Sequence, residues 1–418
     1  MLGDISRIVS GQFVAQLILL MSLPFITHYY DPEEFGVFAI FSAITWILVA
    51  FSTGKAESLI ITMKSKDKAL ELTVGILVIL LIVSFLIGLI VEFLLLDFLN
   101  TSSLERVEYL SILMPATVFF IGSAQTLRFY VTYLGCFSAH GIAAILNAAG
   151  IIFITLGYAI FSDGNSLPLG LILGQLAGHM LSFFIFLFYA DIFQIKTFKR
   201  LKISINIVFN QIQKISIMLT TQLTYALSVQ VPILIISIIG GVPGAGAFAM
   251  AERVVIMPTN TFGHAVGQVV RHRFAKEYMA DNQTTFLPRK VISITFLIMI
   301  IGYGLLIALA DWAIPFILGE QWAVVIPFVQ IIAVMELFNF VFYSVEDVSI
   351  IRNNFVYRMW GQVTQLIILV ILYIIVDAEG ILLSAEWVLG LICLVRILFV
   401  AYDLIKTWRG LKSEQFNI

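Results

Sequence analysis

Residues 72–91 read LTVGILVILLIVSFLIGLIV, twenty positions in a row without a formal charge. A stretch of about 20 apolar residues is the length a helix needs to cross the hydrocarbon core of a bilayer, and it is far longer than an ordinary strand. The span expected around it is 70–96, with Glu71 and Glu92 flanking the uncharged stretch, Lys64, Lys66 and Lys68 before it and Asp97 after it. The chain repeats this pattern of apolar run and short polar break throughout. Of its 418 residues, 60% are apolar and 12% charged, where a soluble domain is about one quarter charged. That much apolar surface has to face lipid.

The breaks divide the chain into twelve expected spans, near 8–28, 35–58, 70–96, 109–133, 137–161, 167–190, 214–240, 245–270, 290–317, 322–348, 357–376 and 380–405. The second span has an alternative end at Phe51, and the break at Cys136–His140 carries no formal charge. The first apolar run reaches Pro24 without a small-residue cleavage site and continues as a span, so no signal peptide is expected. An all-α polytopic membrane protein follows.

Lysine and arginine orient it, because cytoplasmic loops are enriched in both. Placing the even-numbered breaks and both tails in the cytoplasm puts 19 of the 24 basic residues there, with Arg106 alone on the other side. The remaining four, Lys55, Arg128, Arg253 and Arg396, fall inside expected spans. The longest outer break, about 97–108, is too short for a catalytic domain. This argues against a membrane-embedded glycan polymerase or ligase. A net charge of -2 points to no polyanionic partner such as nucleic acid. Cys136 and Cys393 are too few and too far apart for a disulfide framework or a zinc site.

A faint internal repeat runs through the chain. Phe35-Gly36-Val37-Phe38-Ala39 and Ala245-Gly246-Ala247-Phe248-Ala249 lie 210 residues apart, close to half the length. Pro24 and Pro232 precede them, and Pro32 and Pro243 sit in the breaks. Duplication of a six-span unit preserves orientation and relates the halves by an axis along the membrane normal. The expected organisation is a lobe at 1–190, a basic cytoplasmic linker at 191–213 and a lobe at 214–418. The alternative is chance similarity between apolar segments.

Charged side chains are costly at the bilayer centre, so those inside spans should face protein or a watery cavity. At helical periodicity the eighth span aligns Arg253, Asn260, His264 and Gln268 on one stripe, with Pro258 in the same span to kink it. The tenth aligns Glu336, Asn339, Tyr343 and Asp347. The seventh carries Lys214, Thr221, Tyr225 and Ser228, with Gln230 near Pro232. Gln175 and His179 stack on the sixth, Gln12 and Gln16 on the first, and Gln125 and Arg128 on the fourth. Lys55 and Glu57 lie on the second, two residues apart, where a helix points them to nearly opposite sides. Each stripe either lines a cavity or glues helices together, and Lys55 either faces the cavity or snorkels to the headgroups. No His, Asp and Glu cluster has metal-ligand spacing. No phosphate-binding glycine loop or nucleophile elbow occurs, so neither catalytic residues nor a cofactor are expected.

Several of these segments resemble a known family. Ser22-Leu23-Pro24 followed by His28-Tyr29-Tyr30-Asp31-Pro32-Glu33-Glu34-Phe35-Gly36-Val37-Phe38 is similar to the opening of the Wzx-type polysaccharide flippases. Gly54-Lys55-Ala56-Glu57 with Leu59-Ile60-Ile61 resembles their basic-x-acidic segment, although Lys55 stands where arginine is common. Ser228-Val229-Gln230-Val231-Pro232, then Arg253-Val254 with Pro258, Ala265 and Gln268, are similar to their seventh and eighth spans. Leu318-Gly319-Glu320-Gln321-Trp322 matches their L-x-G-E-x-W turn. In the second half Gly244-Ala245 departs from the acidic turn of the first.

The resemblance implies the MOP transporter superfamily: two six-helix bundles around a central cavity that opens to each side in turn. It implies a bacterial inner-membrane protein with both termini cytoplasmic. The implied substrate is an undecaprenyl-pyrophosphate-linked oligosaccharide for O-antigen or other surface polysaccharide, with a polysaccharide polymerase and a chain-length regulator as partners. On this reading Arg253, Arg128 and Lys55 favour the pyrophosphate. Asn260, Gln268, Tyr225 and Asn339 meet sugar hydroxyls. Glu336, Glu57, Asp347 and His264 balance charge or couple transport to protons or sodium. The alternative within the superfamily is a multidrug exporter or a peptidoglycan-precursor flippase.

Overall fold

The computed structural model describes residues 2–99, 110–162, 168–190, 211–257, 286–351 and 384–413, with isolated positions between 259 and 270 and between 363 and 374. Among these residues the regular structure is entirely helical. Among the described residues, ten helices are long and apolar enough to span a bilayer. The eighth and eleventh expected spans lie largely on positions outside the described residues, as does most of the expected linker at 191–213.

The chain runs α1 (Leu2–Tyr29), α2 (Pro32–Thr53), a 3-10 turn (Ala56–Thr62), α3 (Lys66–Leu99), α4 (Leu110–Tyr133), α5 (Ser138–Phe161) and α6 (Leu169–Tyr189). It continues with α7 (Ile212–Ile239), α8 (Gly241–Ala251) leading into a π-helical turn (Glu252–Ile256), and α9 (Phe286–Leu318). A 3-10 turn (Glu320–Val325), α10 (Ile326–Ile351) and α11 (Ala385–Ser413) complete it.

Local chemistry explains the boundaries. The Asp31-Pro32-Glu33-Glu34 segment is a capping box: the Glu34 backbone N–H donates to Asp31 Oδ1 at 2.9 Å, and the Asp31 N–H donates to Glu34 Oε2 at 3.0 Å. Asp31 is the N-cap, Pro32 occupies the first helical position where no N–H is needed, and Glu34 closes the reciprocal pair. The uncharged break after the fourth span is a glycine stop. Gly135 adopts φ 77, its N–H donates to Thr132 O at 3.0 Å, and the Cys136 N–H donates to Val131 O at 3.1 Å. These two bonds form the Schellman arrangement that satisfies the last carbonyls of a helix.

The second span ends earlier than 58. α2 stops at Thr53, and Gly54 and Lys55 both take positive φ, 53 and 59. Lys55 and Glu57 therefore do not lie on the spanning helix, a correction to the reading that places both on the second span. Apolarity continues through Ala56 and Leu59–Ile61, so the hydropathy of the segment hides the break.

The described chain forms two compact units. The first comprises Met1–Tyr29 and Ile40–Gln230, the second Tyr30–Ala39 and Val231–Ile418. In the first unit, Leu72 and Leu80 of α3 pack with Leu127 and Tyr130 of α4, Ile60 of the 3-10 turn, Phe186 of α6 and Ile215 of α7. Val49 of α2 joins Ile87, Val118 and Ile121 in a neighbouring cluster. Two polar steps bridge α2 and α6: Ser42 Oγ donates to Gln175 Oε1 at 2.8 Å, and one turn on, the Trp46 and His179 rings meet edge to face.

In the second unit, α10 packs against α9 and α11. The repeated segments meet there. A Cβ on Gly36 would overlap the Val242 carbonyl oxygen, and a Cβ on Gly246 would overlap the Pro32 carbonyl oxygen. Adding 210 to 36 and 32 yields 246 and 242, so the contact is reciprocal, as expected where two equivalent surfaces meet about a two-fold axis. Glycine at both positions lets the backbones of α2 and α8 touch.

Candidate functional site

Three segments singled out in the sequence converge in the second unit. Phe35, fully buried beyond the capping box, meets the buried ring of Trp322 edge to face at 5.1 Å. The Arg253 guanidinium lies 4.9 Å from the centroid of Phe35 and 5.2 Å from that of Phe38. The start of α2 beyond the acidic turn, the Gly-Glu-x-Trp turn and the arginine that follows α8 therefore form one cluster. A guanidinium stacked on aromatic rings still presents its N–H groups in its plane, where phosphate oxygens can accept them.

One side of this cluster is the π-helical turn Glu252–Ile256. Pro258 supplies no N–H to the carbonyl of residue 254, which favours a local change of hydrogen-bond register before it. The turn carries Glu252 beside Arg253. Arg396 of α11 attracts both Glu252 and Glu336, and its Nη2 donates to the Tyr343 hydroxyl at 3.4 Å. Glu336 is buried, and Asn339 Nδ2 donates to its Oε1. Its Oε2 has no hydrogen-bond partner among the described residues. The hydroxyls of Thr259 and Tyr303 are hydrogen-bonded to each other, and Thr259 also acts on Glu336.

This is a network of two carboxylates and two guanidiniums, formally neutral. Arg253, Glu336 and Asn339 belong to it as expected. Glu252 and Arg396 are the residues that sequence reasoning undervalued. Glu252 directly precedes Arg253 and lies off its stripe at helical spacing; the π turn alters that spacing. Asn260 also faces inward, its Oδ1 buried without a partner among the described residues. His264, Gln268 and the side chain of Asp347 lie outside the described residues.

The first unit holds a second charged group. The positive φ at Gly54 and Lys55 breaks the helix ahead of Glu57, and leaves Lys55 exposed and Glu57 buried. Both Lys55 and Arg128 of α4 attract the buried Glu57. Burial pushes the Glu57 carboxyl above its ordinary range, while its backbone N–H, Arg128, Lys55 and Thr53 act the other way. Lys55 and Arg128 are themselves exposed. Two cations around one carboxylate leave a surplus positive charge for an anion. Next to it, Thr132 Oγ1 and His140 Nε2 are 3.0 Å apart, and His140 was not singled out in the sequence. Tyr225 of α7 is exposed and touches neither charged group in any described contact.

A non-glycine residue at φ 59 is strained by about 1 kcal/mol or more. Lys55→Gly should therefore raise the melting temperature of the purified protein, because the strain is relieved. A variant that is less stable than the wild type would show that the lysine side chain, not its backbone, holds this turn.

Residues 26–327 match the model of a family described as polysaccharide biosynthesis protein. Among solved structures, the chain is similar to the lipid II flippase MurJ in an inward closed conformation, with a TM-score of 0.73 and 14% identity over 97% of this chain and 89% of that one. It is similar to an inward-facing multidrug resistance MATE family transporter of the MOP superfamily, with a TM-score of 0.59 and 14% identity over 98% and 96%. A MOP superfamily transporter from Pyrococcus furiosus matches with a TM-score of 0.56 and 14% identity over 98% and 94%. Identities this low establish a common fold, the MOP transporter fold. No curated protein sequence matches the chain.

Proposed function

The chain belongs to the polysaccharide biosynthesis protein family, and from that premise we propose that it is a flippase of the Wzx type. It moves undecaprenyl-pyrophosphate-linked oligosaccharide units from the cytoplasmic to the periplasmic leaflet of the bacterial inner membrane by alternating access, for O-antigen or another surface polysaccharide. The observation that carries this reading is the family match over residues 26–327. The fold shared with a structure described as a lipid II flippase supports it. The 19 basic residues on the even-numbered breaks and tails support the orientation, with both termini cytoplasmic.

The chemistry that needs a protein is at the head of the substrate. Stripping water from sugar hydroxyls and pyrophosphate charges is prohibitive in hydrocarbon, whereas the polyprenyl tail is already at home there. Lys55 and Arg128 are assigned to the pyrophosphate, with Glu57 keeping the pair from binding it too tightly to release. Arg253 contributes through its in-plane N–H groups. Asn260, Gln268, Tyr225 and Asn339 are assigned to the glycan. Glu336, with Asp347 and His264, is assigned to charge balance or to a coupling proton or sodium ion. A polysaccharide polymerase and a chain-length regulator are the expected partners on the periplasmic side.

The test is reconstitution in liposomes carrying a defined undecaprenyl-pyrophosphate-linked oligosaccharide, reading glycan accessibility from each side with and without sodium and pH gradients. Movement of the glycan head to the opposite leaflet is expected. Extrusion of amphipathic cations without glycan movement would instead identify a drug exporter, and glycosidic bond formation by the pure protein would identify a polymerase.

A further inference from the structure

Two contacts join α2 and α6 in register, Ser42 to Gln175 and Trp46 to His179, each between residues 133 apart. All four residues belong to the first unit. The function assigned above uses none of these side chains.

Lipid does not explain them. At about 100° per residue the exposed Leu181, Phe184 and Phe188 lie on the side of α6 opposite His179, while Ile172, Ser182 and Phe186, on the His179 side, are buried. On α2 the exposed Phe51 lies opposite Trp46, and Ala43, Val49 and Ala50 around Trp46 are buried. Trp46 and His179 themselves are only half-buried. The surface they keep is therefore on the protein side of both helices. His179 is the central residue of α6 (Leu169–Tyr189), about 15 Å from either end at 1.5 Å per residue. An imidazole cannot reach headgroups from there.

The contact between the helices leaves most of their polar atoms unused. Ser42 Oγ donates to Gln175 Oε1 at 2.8 Å. Gln175 is more than nine-tenths buried, yet neither N–H of its amide has an acceptor among the described residues. The Trp46 and His179 rings meet edge to face with centroids 6.1 Å apart, a contact that turns at most one N–H onto the other ring. Among the described residues no hydrogen bond takes up the Trp46 indole N–H or either His179 nitrogen.

Polar groups at mid-membrane without a protein partner need water or a ligand. No charged group among the described residues acts on His179, so the ligand that fits is neutral at this contact. The set holds two amide N–H groups, an indole N–H, and an imidazole that donates at one nitrogen and accepts at the other. Aromatic rings lie beside them. A sugar suits this combination, since its hydroxyls both donate and accept and its C–H groups pack on rings.

We infer that Gln175, His179 and Trp46 form a saccharide-contact site in the first unit, one that holds the neutral glycan of the transported head and not its pyrophosphate. This deepens the flippase reading and rests on it.

The test is fluorine NMR of the full-length protein labelled with fluorotryptophan, the Trp46 resonance being the one lost in Trp46→Phe. A polyprenyl-pyrophosphate-linked oligosaccharide should shift that resonance, and the same polyprenyl pyrophosphate without sugar should not. His179→Phe keeps the ring contact and removes both nitrogens. It should weaken binding of the oligosaccharide-linked lipid about tenfold, the order expected for two neutral hydrogen bonds. Its melting temperature and its affinity for the sugarless lipid should be unchanged. His179→Gln, which restores a donor and an acceptor, should recover most of the loss.

A Trp46 resonance that stays in place with the oligosaccharide-linked lipid marks the cluster as helix packing or a water site only, and overturns the inference. So does a resonance that the sugarless lipid moves equally, or a folded His179→Phe protein that binds the oligosaccharide-linked lipid as the wild type does. Should His179→Phe fail to fold, the wild-type resonance decides alone. In each of these cases a wild type that still moves the oligosaccharide across a liposome membrane leaves the flippase reading standing. A wild type that moves no glycan at all overturns both.

Discussion

Alanine at Gly36 or at Gly246 should destabilise the protein by about 1–3 kcal/mol, the range for forcing an extra carbon into a packed interior. The upper end is expected, because each new Cβ meets a backbone carbonyl, of Val242 in one case and Pro32 in the other, and not the yielding tip of a side chain. The two contacts belong to one crossing of α2 over α8. Once one Cβ has pushed the helices apart, the second finds room already made. The double variant should therefore cost less than the two singles added, by more than the about 0.3–0.5 kcal/mol within which independent sites are additive. Thermal unfolding of the four proteins in detergent measures this. Strict additivity would show that the two halves of the crossing yield separately and that the reciprocal contact is not a mechanical unit.

Alanine at Arg128 and at Arg253 should both slow glycan transport, by roughly ten- to a hundredfold if each removes a charge-assisted hydrogen bond of about 1.5–3 kcal/mol. Their effects on stability should differ. Arg253 lies over the rings of Phe35 and Phe38, so its removal also loses a cation–π contact of about 0.5–2 kcal/mol and should lower the melting temperature. Arg128 is exposed, yet it lies 5.9 Å from the centroid of the Phe129 ring and attracts the buried Glu57, so its alanine variant should also melt below the wild type, by less than Arg253→Ala. Arg253→Lys separates charge from shape: the ammonium keeps the charge but not the flat guanidinium that stacks and donates in its plane. It should recover transport only in part. If both alanine variants flip glycan at the wild-type rate, neither arginine handles the head group.

Most of the helices could be read from the chain because a membrane span announces itself by length and apolarity, and the ten long helices fall on expected spans. The repeat was legible as well, in five residues of matching pattern 210 apart. What it meant spatially was not, since periodicity says nothing about which surfaces meet. Lys55 was misplaced for a definite reason. Helical spacing assumes an uninterrupted helix, and a hydropathy window cannot register two left-handed residues inside a run that stays apolar to Ile61. The glycine before Lys55 was the available signal. Glu252 was obscured in the same way, since a stripe drawn at regular helical spacing passes it by where the π turn alters the register. The Gly-Glu-x-Trp and acidic turns were visible as motifs, but only the structure joins them, through Phe35 and Trp322.

The reciprocal crossing also sets a timetable for the nascent chain. Gly36 meets Val242, and Pro32 meets Gly246, so the N-terminal end of α2 cannot find its partner until some 210 further residues have left the ribosome. At synthesis rates of about 5–20 residues per second, that is a wait of roughly 10–40 s. During it Phe35, fully buried in the finished protein, has neither Trp322 nor Arg253 to pack against. The segment that closes the second unit is made among the first and docks among the last, and quality-control factors of the membrane have that interval in which to bind it.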